Sequence, residues 1–154
     1  MMKLKSVVYL FIIITACVVA VGKTDNKEND VEKSFYAKTR DDSGTFGNNF
    51  KWYYNSSSYT LTIEGEGDMQ NFTSSSSTPW YDYLSSISII EFKGDIKSIG
   101  NFAFYGCNSL TSLTLSQNLI SIGISAFNRC NKLTSITIPS NVTSIGYYTF
   151  LWMQ

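Results

Sequence analysis

The chain has 154 residues, with 12 basic and 12 acidic side chains, 44% apolar residues, 15% aromatics, three cysteines and no histidine, which is room for one small domain and an appendage. Without histidine there is no Ser-His-Asp triad, no Cys-His pair, no His-liganded zinc and no histidine base, and three cysteines fall short of a four-cysteine zinc site or a disulfide-dense scaffold. The balanced charge, with an isoelectric point near 6.2, lacks the basic stripe that nucleic acids require, so neither a DNA or RNA partner nor a cofactor is expected.

In chain order, Met1 to Ser6 carry Lys3 and Lys5, and the apolar run Val7 to Val21 follows, with Thr15 as its polar interruption. A membrane span needs about 20 apolar residues, so this run suits the core of a secretory signal better. Ala20-Val21-Gly22 places small residues before a cleavage at Lys23, making 1–22 a signal peptide. Two alternatives stand beside it: an uncleaved anchor, and a lipoprotein cut before Cys17, because Ile14-Thr15-Ala16-Cys17 is similar to a lipobox. Each reading takes the chain out of the cytoplasm, to a secreted or cell-surface location, with membrane contact only through this segment. Removal of 1–22 leaves a net charge of −2. Residues 23–43 are polar and charge-mixed, with little to bury beyond Val31, Phe35, Tyr36 and Ala37, and read as a linker.

Residues 44–83 read as a β-rich N-terminal cap. Phe46, Phe50, Trp52, Tyr53 and Tyr54 form a β-prone run, Asn55 to Ser58 break it, and Tyr59-Thr60-Leu61-Thr62-Ile63 resumes it; two such runs with alternating apolar positions around a short polar break predict a β-hairpin. Glu64, Glu66 and Asp68, spaced by Gly65 and Gly67, read as a turn, since they lack the twelve-residue loop of a calcium site. Pro79 is expected to open a short helical turn. The aromatic set Trp52, Tyr53, Tyr54, Tyr59, Trp80, Tyr81 and Tyr83 reads as cover for the end of the domain that follows; alternatively, Trp52, Tyr54, Trp80 and Tyr81 stack on sugar rings as a glycan site.

From Leu84 the chain repeats with a period of 23 and no gaps, as units 84–106, 107–129 and 130–152. Apolar residues recur as Ile87, Ile90 and Phe92; Leu110, Leu113 and Leu115; Leu133, Ile136 and Ile138. Asp95, Asn118 and Asn141 follow three residues later. This is the spacing of a leucine-rich repeat: the period-two pair buries one face of a short strand, and the asparagine is placed to bond backbone groups freed at the next bend. A second apolar set (Ile96, Ile99, Ala103 and Phe104, with its counterparts) lines an irregular or short helical return. Gly100, Gly123 and Gly146 are expected to supply tight bends. The fold expected is a solenoid of three coils over 84–154, with a short parallel sheet and a hairpin cap. No coil hides its core alone.

Ile99-Gly100-x-x-Ala103-Phe104-x-x-Cys107, repeated as Ile122-Gly123-x-x-Ala126-Phe127-x-x-Cys130, resembles the BspA-type (Treponema pallidum type) leucine-rich repeats of bacterial and protist surface proteins. The stretch Tyr59 to Met69, with Pro79-Trp80-Tyr81, is similar to the segment that often precedes them. The resemblance implies an extracellular solenoid used for adhesion or protein binding, with no catalytic residues. Thr149 in place of alanine and Leu84 in place of cysteine are the departures.

Cys107 and Cys130 share one repeat position, about one strand spacing of 4.8 Å apart, close enough for a disulfide; Leu84 at the equivalent place favours buried thiols instead. The partner-binding surface expected is the outward strand face: Ile89, Glu91 and Lys93; Ser112, Thr114 and Ser116; Ser135, Thr137 and Pro139. Its partner is read as an extracellular protein ligand. Asn55, Asn71 and Asn141 stand in glycosylation sequons. Leu151, Trp152 and Met153 follow the third unit without a cap, beside an edge at Leu133 to Ile138. The expectation is either a fragment of a longer repeat protein or end-to-end self-association.

Overall fold

The computed structural model describes residues 41–153. The expected leader, its Cys17 and all but the end of the 23–43 linker lie outside the described residues. Nine strands are present among them: β1 (Asp42–Phe46), β2 (Phe50–Asn55), β3 (Thr60–Gly65), β4 (Gly67–Asp68), β5 (Ile89–Lys93), β6 (Ile96–Ile99), β7 (Ser112–Thr114), β8 (Ser121–Ile122) and β9 (Ser144–Ile145).

The expected hairpin is β2 and β3, antiparallel in register from Phe50 opposite Gly65 to Asn55 opposite Thr60. Alternation sets its faces: Phe50, Trp52 and Tyr54 are buried, while Lys51, Tyr53 and Asn55 are exposed. The Asn55 side chain closes the turn by accepting the Ser58 N–H at 2.9 Å, and Tyr59 completes it at φ 54°. A further strand, β1, lies antiparallel to β2, so Asp42 and Ser43 belong to the sheet and not to a linker. Asp-Ser-Gly-Thr has little strand propensity of its own, and its pairing to β2 is what makes it a strand.

From β3 onward, pairing turns parallel. The first sheet runs β1-β2-β3-β5-β7 and the second β4-β6-β8-β9. Leu61 stands beside Ile90 and Ile63 beside Phe92, so parallel stacking starts at β3, upstream of the first 23-residue unit. Residues 59–83 thus form a coil of their own. Its offset to the next coil is 29 residues at Tyr59 and Ser88 but 23 at Trp80 and Ala103, which places extra residues between Phe72 and Trp80. A single 3₁₀ turn at Ser75–Ser77 occupies this stretch and a second, Tyr81–Tyr83, follows Trp80; Pro79 lies in the turn that leads into the second, closed by the Tyr81 N–H donating to the Thr78 carbonyl at 3.2 Å. Glu64, expected in a turn, lies in β3, and Asp68 lies in β4, so Glu66 marks the corner between the two sheets.

An aromatic column runs through the coils. Trp80, Phe104, Phe127 and Phe150 stack with centroids 5.6, 5.3 and 6.0 Å apart and planes within 17°, 16° and 6° of parallel. Fully buried Trp80 ends it, its Nε1–H donating to the Ala103 carbonyl at 2.8 Å. Phe46, Phe72 and Trp52 pack around that indole. A second column holds Leu84, Cys107 and Cys130, all buried, with Met153 packed against the core below. The two cysteines are free thiols.

The repeated glycines have a different basis from the one expected. None of Gly100, Gly123 and Gly146 is left-handed; a Cβ on each would collide with backbone of the preceding coil, at the Gln70 carbonyl oxygen, the Asn101 nitrogen and the Ile124 nitrogen respectively. They permit close stacking, not a bend. Left-handed residues recur elsewhere, as Phe102, Ser125 and Tyr148 and again as Gly106, Arg129 and Trp152. The asparagine expectation holds at Asn141, whose Nδ2–H donates to the Gln117 carbonyl at 3.0 Å. Asn118 instead bonds the Asp95 carboxylate at 2.9 Å, which also pairs with Lys97 at 3.0 Å. Asn101 serves the backbone unforeseen: its N–H donates to Asn71 Oδ1, and its own Oδ1 accepts the Ile124 N–H, at 2.9 and 2.7 Å.

Candidate functional site

The outer face of the first sheet is continuous from the hairpin into the coils. Register aligns Ser43, Tyr53, Thr62, Glu91 and Thr114 in one row across five strands. Beside it run Thr45, Lys51, Glu64 and Lys93, and on the other side Asn55, Thr60, Ile89 and Ser112. Residues two apart along a strand share a face, so the buried alternates Leu61, Ile63 and Ile90 fix these rows outward. Over them lies an open groove of about 780 Å³, lined among others by Asp41, Tyr53, Thr62, Glu64, Glu91 and Lys93. A neighbouring hollow of about 670 Å³ shares Glu64 and Lys93 and reaches Lys51.

The face is polar and charged. Lys51, Glu64 and Lys93 alternate in sign along one row, yet the salt bridge present among the described residues is Asp95 with Lys97, elsewhere on the molecule. The groove charges therefore stay available to a partner. Lys97 and the Asn118 amide hold the Asp95 carboxyl below the usual carboxylate range. At the sheet end, Tyr83 Oη–H donates to Asp42 Oδ2 at 2.9 Å; burial first, then this bond to an anion, push the phenol up to about 12. Burial also raises Tyr54.

The expected strand-face residues divide. Ile89, Glu91 and Lys93 lie on β5, and Ser112 and Thr114 on β7, in the rows just described. Ser116 is half-buried beyond the end of β7. Ser135 and Thr137 are exposed, but Leu133 to Ile138 form no strand, so neither they nor an open strand edge extends the sheet. Pro139 is buried rather than outward; at the repeat position of Ser116, it has no N–H to carry pairing past Ile138. Tyr53, Thr60, Thr62 and Glu64 are the residues that sequence reasoning missed. Their outward alternation was visible, but their neighbourhood with β5 was not.

The glycan alternative loses its platform. Trp52, Tyr54 and Trp80 are buried at 5%, 2% and 0% exposure, leaving Tyr81 at 50% as the open ring of that set. Two aromatic shells and a stacked Tyr54–Tyr83 pair at 4.3 Å occupy their faces instead. The sequon asparagines Asn55, Asn71 and Asn141 are exposed, each also bonded within the fold. No cluster of three or more His, Cys, Asp or Glu placed to hold a metal occurs among the described residues, and no helix there is long and apolar enough to cross a membrane.

Comparison with known proteins follows the same lines. No curated protein matches the chain. Among solved structures, a leucine-rich repeat protein from Eubacterium ventriosum is similar at a TM-score of 0.66 and 29% identity, over 73% of this chain and 30% of that one. The chain thus spans under a third of that relative's length. A leucine-rich repeat protein of T. pallidum is matched at a TM-score of 0.42 and 18% identity, over 67% of this chain and 54% of that one. The pattern of the family described as "BspA type Leucine rich repeat region (6 copies)" covers residues 70–154, starting inside the coil that precedes Leu84. With its parallel coils, glycine contacts and aromatic column, the chain belongs to the BspA-type leucine-rich repeat family.

Proposed function

We propose that the protein is a secreted or cell-surface adhesion module that binds a protein ligand through the outer face of the β1-β2-β3-β5-β7 sheet. Leucine-rich repeat solenoids are binding scaffolds, and the family shown here supports a protein-interaction role. The observation that carries the finer reading is the groove of about 780 Å³ on that sheet, floored by Tyr53, Thr62, Glu64 and Glu91 and bordered by Lys93, with no salt bridge to these charges among the described residues. Tyr53, 42% exposed at its centre, is the aromatic anchor such an interface uses. The basic, apolar leader supports export.

The test is a pull-down with the full chain against matrix and cell-surface proteins, with glycans as a parallel arm. Captured ligands are then titrated against Tyr53→Ala and Thr114→Arg. Loss of affinity of about 10-fold or more from each variant is expected, the worth of one central contact residue. Unchanged binding by both, with loss from Ser121→Arg on the second sheet, refutes the site.

A second reading, end-to-end self-association, rests on the last described coil, where Tyr147, Tyr148 and Trp152 are 80%, 67% and 66% exposed. Light scattering of the full chain tests it. A monomer at every concentration removes it.

A further inference from the structure

Cys107 and Cys130 occupy adjacent rungs of one column, with Leu84 and Met153 as its other members. Both are fully buried. Their side chains lie against one another, and the Cys130 thiol donates to the Phe104 carbonyl at 3.5 Å. A backbone bond between coils sets the spacing beside them: Gly106 N–H donates to the Asn128 carbonyl at 2.8 Å. Coil spacing of about 4.8 Å lies inside the Cα separations of about 4.4–6.8 Å that a disulfide spans. The remaining cysteine, Cys17, belongs to the expected leader, so a chain without it has a single intramolecular pairing.

We propose that Cys107 and Cys130 are a modification site whose state is set during folding: they join as a disulfide when the chain folds beside a disulfide donor, and they are closed to exchange once packed as thiols. In the unfolded chain one cysteine thiolate attacks the donor R–S–S–R and releases one R–S⁻; the second thiolate attacks the mixed disulfide and releases the other. The two cysteine protons leave with the two R–SH, and the donor takes up the two electrons the cysteines lose. After packing, both sulfurs are shielded from solvent, and burial raises the Cys107 thiol well above its ordinary value, which withholds its thiolate from attack. The cross-link would add a covalent tie between two consecutive coils otherwise joined by stacking and backbone hydrogen bonds.

The experiment uses the full chain carrying Cys17→Ser. One sample is unfolded, reduced and refolded in mixed reduced and oxidised glutathione; a second is refolded in reductant and then placed, folded, in the same glutathione mixture. Free thiols are alkylated after denaturation and the peptides mapped, with far-UV circular dichroism recorded for both. The expected result is a linked Cys107–Cys130 peptide pair in the first sample, with an unchanged spectrum and a higher unfolding midpoint, and two alkylated cysteines in the second. Persistent thiols, links between chains, or a lost spectrum in the first sample would overturn the proposal. Oxidation of the second sample at the unfolded rate would overturn it equally.

Discussion

Gly123→Ala separates the two accounts of the repeated glycines. A Cβ at this position stands 2.5 Å from the Asn101 nitrogen, 2.6 Å from Asn101 Oδ1 and 2.7 Å from the Gly100 carbonyl carbon. Reaching ordinary contact requires the coils to part by close to 1 Å, as an order of magnitude. Three bonds cross that seam: Gly123 N–H to the Ile99 carbonyl at 2.8 Å, Phe102 N–H to the Ile124 carbonyl at 3.0 Å, and Ile124 N–H to Asn101 Oδ1 at 2.7 Å. At about 0.5–1.5 kcal/mol each, their loss is worth about 2–4 kcal/mol, far above the ~0.4–1 kcal/mol that alanine returns by restricting the unfolded chain. Gly106→Ala is the matched control, because Gly106 is left-handed at φ 82° with open space around it, and its counterparts Arg129 and Trp152 already carry side chains. Its cost is the left-handed penalty of about 1 kcal/mol. Urea unfolding of both variants measures the difference. If Gly123→Ala costs no more than Gly106→Ala, the close-stacking account is wrong and the glycines serve bends after all.

Trp80→Phe removes the donor to the Ala103 carbonyl and leaves space in the aromatic shell, so unfolding free energy should fall by about 2–4 kcal/mol. Asn101→Ala deprives the Ile124 N–H of its acceptor; water replaces part of the bond, so the loss is about 1 kcal/mol, read as faster amide exchange at Ile124. Tyr83, raised to about 12, favours its protonated form in the folded state, so its contribution is whole below the unfolded phenol value near 10 and disappears as pH climbs through 12. Discounted for its half-exposed setting, this amounts to about 1 kcal/mol. Tyr83→Phe should flatten the alkaline fall in unfolding midpoint, and an unchanged slope would assign the fall to other groups.

The solenoid was legible because its period is arithmetic. Three gapless units place like residues at like positions, and the core then follows from burial. The coil over 59–83 escaped the same reading, since extra residues between Phe72 and Trp80 shift its register from 29 to 23. Strand β1 was hidden for another reason: Asp42-Ser43-Gly44-Thr45 is a strand only beside β2. At the site, Glu91, Lys93 and Thr114 were identified from alternation within a unit, a local signal. Tyr53 and Glu64 needed, beyond the expected hairpin of β2 with β3, the parallel pairing of β3 with β5, which no local pattern contains.

Position-by-position comparison of the coils also distinguishes the surfaces. On the second sheet the aligned residues are Ser98, Ser121 and Ser144, the same small hydroxyl in all three 23-residue units, with Asp68 of the preceding coil beside Ser98, next to the glycines that hold the coils close. A face that repeats one residue offers a ligand no register to read, and its constancy is explained by stacking. On the first sheet the rows change from strand to strand: Tyr53, Thr62, Glu91 and Thr114 in one, Lys51, Glu64 and Lys93 in the next. Stacking leaves these positions free, because their buried alternates already hold the coils together. Variation where the fold makes no demand, gathered over one groove, is what selective recognition requires. The hairpin contributes to the site instead of only closing the solenoid: by continuing the sheet it adds Lys51, Tyr53 and Asn55 to the varied face, more chemistry than the third unit supplies, which adds no strand to this sheet.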